Sequence, residues 1–93
     1  GRINVQKAFV SAAGFALEDG LTEAREEEAQ IKRAMVKRAR EVYGMVDSSK
    51  WGRVASATFC DTQGLTRMLT DAGAPAEAVT GLREMGIEVT QDG

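Results

Sequence analysis

The sequence contains no histidine and a single cysteine, Cys60. Without histidine there is no Ser-His-Asp machinery, and the commonest zinc ligand is missing. One cysteine forbids an internal disulfide. With no imidazole to activate it, the thiol is expected to pack as a small hydrophobe rather than act as a nucleophile. Aromatics are few, namely Phe9, Phe15, Tyr43, Trp51 and Phe59. No apolar run reaches the length of a membrane-spanning helix and no signal-peptide pattern occurs, so a soluble, cytoplasmic protein with no membrane partner is expected. A net positive charge is also lacking. The formal net charge is −2, which makes the chain by itself a poor binder of nucleic acid. No phosphate-loop or dinucleotide fingerprint appears, and nothing calls for a cofactor or a metal.

What is present suits packed helices and strands. The apolar fraction is 43%, ordinary for a folded domain and too high for disorder. At 93 residues the chain is one domain or part of one, and residues 1–93 are read as a single domain fragment. A chain this short buries only about 60–65% of its unfolded surface, so its core is modest.

The chain is organised around Asp47-Ser48-Ser49-Lys50-Trp51-Gly52. Val42 to Val46, just before it, is short, apolar and β-branched, the pattern of a buried strand. Two hydroxyls and an ammonium then follow at the strand's carboxyl end, the edge at which open α/β sheets bind ligands. Such a cluster can hold an anion. The plainer reading is an ordinary strand exit, with Asp47 and Ser48 in local turn bonds.

Around this corner the pattern reads β–loop–α–β–β–β–α–β. Ile3 to Ala12 predicts a strand, with Lys7 turned to a solvated edge. Ala13 to Thr22 predicts a loop bracketed by Gly14 and Gly20, whose glycines either admit a ligand to the backbone or simply supply turn geometry. A helix is expected from Glu23 to Glu41, capped by Thr22, with Ile31, Ala34, Met35, Ala39 and Val42 as its apolar face. Its acidic start and basic end complement the helix dipole, and Glu28 stands four residues before Lys32. Lys32 to Arg40 therefore reads as a solvated face rather than a nucleic-acid patch. Further strands are expected at Arg53 to Cys60 and Leu65 to Thr70, separated by a turn at Asp61 to Gly64. A helix then starts with Pro75 at or near its first position, packs Val79, Leu82 and Met85 inward, and stops at Gly86. Ile87 to Thr90 predicts the last strand and Gln91 to Gly93 a frayed tail. The fold class is α/β, a layered and largely parallel sheet of about five short strands with two main helices.

Three stretches together resemble one family. They are Lys7-Ala8-Phe9 with Ala13-Gly14 and Gly20-Leu21-Thr22; Asp47-Ser48-Ser49-Lys50-Trp51-Gly52; and Leu69-Thr70-Asp71 followed by a helix and Ile87-Glu88-Val89. They look like the C-terminal sensor domain of DeoR-type bacterial transcriptional repressors, which shares its fold with sugar-phosphate isomerases and glucosamine-6-phosphate deaminases. The resemblance implies a Rossmann-like half of such a sensor, without the N-terminal winged helix-turn-helix that reads DNA and without the glycine-rich phosphate loop of the sensor's first half. It implies binding of a phosphorylated sugar that alters the repressor's hold on its operator. Lys50 would face the phosphate, with Ser48, Ser49 and Asp47 beside it, and Gly14, Gly20 and Thr22 would line the sugar side. The sequence departs from the family at Gln6, where aspartate is usual, at Ser11, where glycine is usual, and at Trp51, where phenylalanine is usual and where packing under the loop is expected.

Two other functions are open. An isomerase or deaminase on the same fold would need a base at the loop, for which Glu18 and Asp19 are the candidates; fold sharing alone carries no activity, and a non-enzyme is expected. A purely oligomerising module is the third reading. A half-sheet leaves unpaired edges, so a homo-oligomer is expected in any case.

Overall fold

The computed structural model describes residues 6–93. The part of the first expected strand at Ile3 and Val5 lies outside the described residues. Within them run β1 (Lys7–Ser11), β2 (Gly14–Ala16), β3 (Gly20–Glu23), α1 (Glu26–Arg38), β4 (Glu41–Met45), β5 (Ala57–Cys60), β6 (Arg67–Asp71), α2 (Ala76–Glu84) and β7 (Glu88–Asp92). The strands form two sheets, a four-stranded sheet ordered β1-β4-β6-β7 and a three-stranded one ordered β2-β3-β5. The first is wholly parallel and the second antiparallel. The α/β layering and the parallel main sheet agree with the sequence pattern.

Parallel neighbours need crossover connections, and these are right-handed almost without exception. Because β1, β4, β6 and β7 follow one another in a single direction, right-handed crossovers send every connection to the same face. The core lies there. Ala8 and Val10 from β1, Val42 from β4, Met68 from β6 and Val89 from β7 are buried on that face. Above them sit Phe15, Leu21 and Leu82, each fully enclosed. At Gly44 a Cβ would stand 3.1 Å from the Met68 sulfur and 3.4 Å from Leu21 Cδ1. The missing side chain is what lets β3 settle onto the sheet.

Several elements differ from the sequence pattern. Residues 13–22 are a β-hairpin, β2 and β3, rather than a loop. β2 is too short and too rich in small residues to show an alternation. Gly20 closes the hairpin at φ +78°, and a Cβ there would lie 2.1 Å from the Cys60 carbonyl oxygen. Arg53 to Ser56 is irregular, and only Ala57 onward is a strand, which joins the small sheet instead of the main one. Gln91 and Asp92 belong to β7 and are not a frayed tail.

α1 starts at Glu26, after Arg25, which makes no side-chain cap bond. Thr22 is therefore not the cap; it is a fully buried residue of β3. The helix packs with Ala29 fully buried and Val36 half-buried, against β5 and β3. Of the expected stripe, Ile31 (64%), Ala34 and Met35 (42%) face solvent; the helix ends at Arg38 rather than Glu41, so Ala39 caps it, half-buried, and Val42 is buried in β4. The acidic first turn and basic last turn hold as expected. In α2, Val79 and Leu82 are buried and Met85 is exposed. Gly86, at φ +85°, stops it: its N–H meets the Arg83 carbonyl and the Ile87 N–H meets that of Leu82. This is the Schellman arrangement, which satisfies carbonyls the helix leaves open.

Candidate functional site

Parallel strands bring their carboxyl ends to one edge, so the segments after Met45 and Asp71 meet there. The polar corner after β4 is one tight 3₁₀ turn, Ser48–Lys50. Asp47 organises it. Its Oδ1 accepts the Ser49 backbone N–H at 2.8 Å and also the Ser49 hydroxyl. The Ser49 hydroxyl bond, then its N–H, then the charges of Lys50 and Arg53 hold the Asp47 carboxyl below the ordinary aspartate range. The plainer expectation of local turn bonding thus holds for Asp47.

The corner is tied to its neighbour. The Ser48 N–H donates to Asp71 Oδ2 at 3.0 Å, and Asp71 Oδ1 accepts the Gly73 N–H at 2.9 Å. Gly73 allows the close approach, since a Cβ there would come within 3.1 Å of Ser48 Oγ. Lys50 is the least committed member. Its Nζ stands 3.4 Å from Ser49 Oγ and 3.9 Å from Asp47 Oδ2, with a third of the side chain exposed. Next to it, Trp51 turns inward. The indole is 8% exposed, meets Phe15 edge-on with centroids 5.1 Å apart, and donates from Nε1 to Thr70 Oγ1 at 3.0 Å. Beside the corner, Met45, Asp47, Leu69, Thr70, Asp71 and Asp92 border an open depression of about 450 Å³.

Residues 1–72 match the family described as the DeoR C terminal sensor domain. The chain belongs to this family. Among its relatives is the uncharacterized HTH-type transcriptional regulator YulB of Bacillus subtilis (strain 168), 32% identical over 87 residues, which are 94% of this chain and 34% of the relative. Another is a putative aga operon transcriptional repressor of Escherichia coli O157:H7, 35% identical over 81 residues, 87% of this chain and 30% of the relative. The HTH-type transcriptional regulator IolR of Bacillus subtilis (strain 168) is 40% identical over 58 residues, 62% of this chain and 23% of the relative. The chain spans about a third of the length of the first of these relatives. They are regulators by name, not enzymes.

In this sensor domain, Asp47, Ser48, Ser49 and Lys50 lie together at the sheet edge. Gly14, Gly20 and Thr22 do not form an open wall. Gly14 is pressed against the Arg53 carbonyl, where a Cβ would stand 2.4 Å from the oxygen. The Thr22 hydroxyl is used up inside, donating to the Gly14 carbonyl at 3.2 Å and accepting the Ala55 N–H at 2.9 Å. Glu18 and Asp19 occupy the turn of the hairpin.

A second polar group at this edge was not apparent from the sequence. Lys32 reaches back from α1 to the end of β1, donating to the Ser11 carbonyl at 2.8 Å and pairing with Glu23. Glu23 is buried, and the ammonium also lies 5.4 Å above the Phe59 ring. Glu28 is not its partner. The nine-residue spacing of Glu23 and Lys32 is no helical signal, because Glu23 belongs to a strand. Among the described residues no group of His, Cys, Asp and Glu is placed to hold a metal ion, and no helix is long and apolar enough to cross a membrane.

Proposed function

We propose that this chain is the effector-sensing part of a DeoR-type transcriptional regulator, and that its effector is a phosphorylated sugar. The supporting observation is Lys50: a partly exposed ammonium at the carboxyl edge of a parallel sheet, held loosely by a 3.4 Å bond to the Ser49 hydroxyl and a 3.9 Å contact with Asp47. A phosphate beside it would gain a charge-assisted bond to Nζ and a hydrogen bond from the Ser48 hydroxyl, and one from the Ser49 hydroxyl where that turns from Asp47 to the phosphate. The adjoining depression is lined by Asp47, Asp71 and Asp92. Carboxylates repel a phosphate but accept bonds from sugar hydroxyls, so the ligand would lie with its phosphate at Lys50 and its hydroxyls toward the depression. The hairpin carrying Gly14, Gly20 and Thr22 would support this edge from below rather than touch the ligand. Binding would then alter the affinity of the whole regulator for its operator, DNA being held by a separate domain.

The test is thermal unfolding of the complete gene product against a panel of sugar phosphates. A ligand at about a hundred times its dissociation constant adds roughly 2.7 kcal/mol, a readily seen shift. Lys50→Ala is expected to abolish a selective shift. A shift retained by Lys50→Ala removes Lys50 from the site, and no shift with any sugar phosphate removes the effector class.

A further inference from the structure

α1 carries apolar side chains on two sides. The inner side, with Ala29 enclosed, packs on β5 and β3. Ile31 stands about 200° around the helix axis from Ala29. Residues three and four apart share a helix face. Glu27, Ile31, Ala34, Met35 and Arg38 therefore form one row along the outer side, and all five are exposed. Among the described residues neither Glu27 nor Arg38 has an ion-pair partner. The row has a symmetry. Ile31 and Ala34 straddle the same point as Glu27 and Arg38, midway between Lys32 and Arg33. Turned end for end about that point, the row maps acid onto base and apolar onto apolar. A two-fold contact between identical surfaces requires this, because residue i meets j and j meets i. A partner of unrelated sequence would place no such condition on the row. Nucleic acid is a poor occupant, since the first turn presents Glu26, Glu27 and Glu28.

We infer that the outer face of α1 docks against the same face of a second copy of this chain, with the two helices antiparallel. Ile31 of each copy lies against Ala34 and Met35 of the other, and Glu27 faces Arg38 at both ends. A parallel pairing is disfavoured, because it sets Glu27 against Glu27 and Arg38 against Arg38. The arrangement has an apolar centre and a charged rim, the usual anatomy of an interface. Burial of the centre supplies the attraction, and the charges fix the direction. A helix of 13 residues is about 20 Å long. The contact therefore belongs to the small end of interface sizes and dissociates on dilution. The inference stands on α1 and depends neither on the unpaired sheet edges nor on the identity of any effector.

Charge reversal tests it. Sedimentation velocity is run over a range of concentrations on the complete gene product, with Glu27→Arg, Arg38→Glu, the two combined, and Lys37→Glu. The last changes the net charge as Arg38→Glu does, but it lies about 100° around the helix from Arg38. All three positions are exposed, so the variants are expected to stay folded, as read from their melting curves. Each single reversal acts at two symmetry-related pairs and is expected to weaken the association about tenfold. The combined variant sets base against acid again and is expected to return to within about threefold of the parent. Lys37→Glu is expected to stay near the parent. No association of the complete gene product at any concentration would overturn the inference. So would an association that Glu27→Arg and Arg38→Glu weaken no more than Lys37→Glu does. Losses that the combined variant fails to reverse would overturn the antiparallel pairing and the inference with it.

Discussion

Trp51 and Thr70 are joined by a buried hydrogen bond from indole to hydroxyl, 3.0 Å long, that pins the turn after β4 to the end of β6. Both partners are sequestered, so the bond cannot be traded for water. Trp51→Phe keeps most of the apolar contact with Phe15 but strands the Thr70 oxygen, and a loss of roughly 1–2 kcal/mol is expected in urea unfolding. Combining it with Thr70→Val should recover part of that loss, giving a coupling energy measurable in a double-mutant cycle. The cycle also measures what the indole adds over a phenyl ring.

Gly20 and Gly52 have nearly the same backbone, φ +78° and +83°, in opposite surroundings. A Cβ at Gly52 meets nothing within 4 Å, whereas at Gly20 it runs into the Cys60 carbonyl. Gly52→Ala should cost about 1 kcal/mol, the left-handed penalty alone. Gly20→Ala should cost several times that, with the hairpin displaced from β5. Equal melting temperatures for the two variants would contradict this placement of β3.

The Glu23–Lys32 pair is enclosed, with side chains 10% and 18% exposed. Removing only the cation leaves a buried carboxylate without its partner. Lys32→Met should therefore destabilise by about 2–3 kcal/mol, somewhat below the range for fully buried pairs. Adding Glu23→Gln should restore much of it, as read by chemical denaturation.

Cys60 lies inside, and burial, aided by the nearby Asp61 charge, pushes its thiol up to about 11. The thiolate fraction at pH 8 is then small, and reaction with a disulfide reagent should be slow until urea exposes the residue. Fast labelling of the native protein would contradict the packing of β5.

The depressed carboxyl of Asp47 predicts a pH effect of definite sign. Its bonds to Ser49 favour the ionised form, so their contribution is complete above the ordinary value of 3.8 and is lost as pH falls through the lower folded value. Asp47→Asn should flatten the acid limb of the stability curve, lying below the parent protein at neutral pH and meeting it at low pH. The Ser49 amide shift, followed by NMR, reports the same titration.

The parts legible in the sequence are those where local chemistry and tertiary packing agree. The run at Val42–Val46 followed by Asp47-Ser48-Ser49-Lys50 marks a strand end without ambiguity, and Pro75 and Gly86 bracket α2 to within a residue. The α1 stripe misled because the helix has apolar residues on more than one side. The face that packs uses Ala29 and Val36, with Lys32 laying its aliphatic stem inward so that the ammonium reaches Ser11. Periodicity counts Lys32 as solvent-facing, so both the burial of that side and the Glu23 partner were hidden. The hairpin was hidden for a different reason: its residues are selected by close approach, at Gly14 and Gly20, rather than by alternation.

The two carboxylate oxygens of Asp71 give the sheet edge a mechanical property. One is engaged by Ser48 and the other by Gly73, which leads through Pro75 into α2. That helix in turn bears on the hairpin tip, where a Cβ on Gly81 would stand 2.8 Å from Leu17 Cδ1. Asp71 therefore acts as a yoke. Ser48, α2 and, through Leu17, the hairpin are thus linked along side-chain contacts much shorter than the intervening chain.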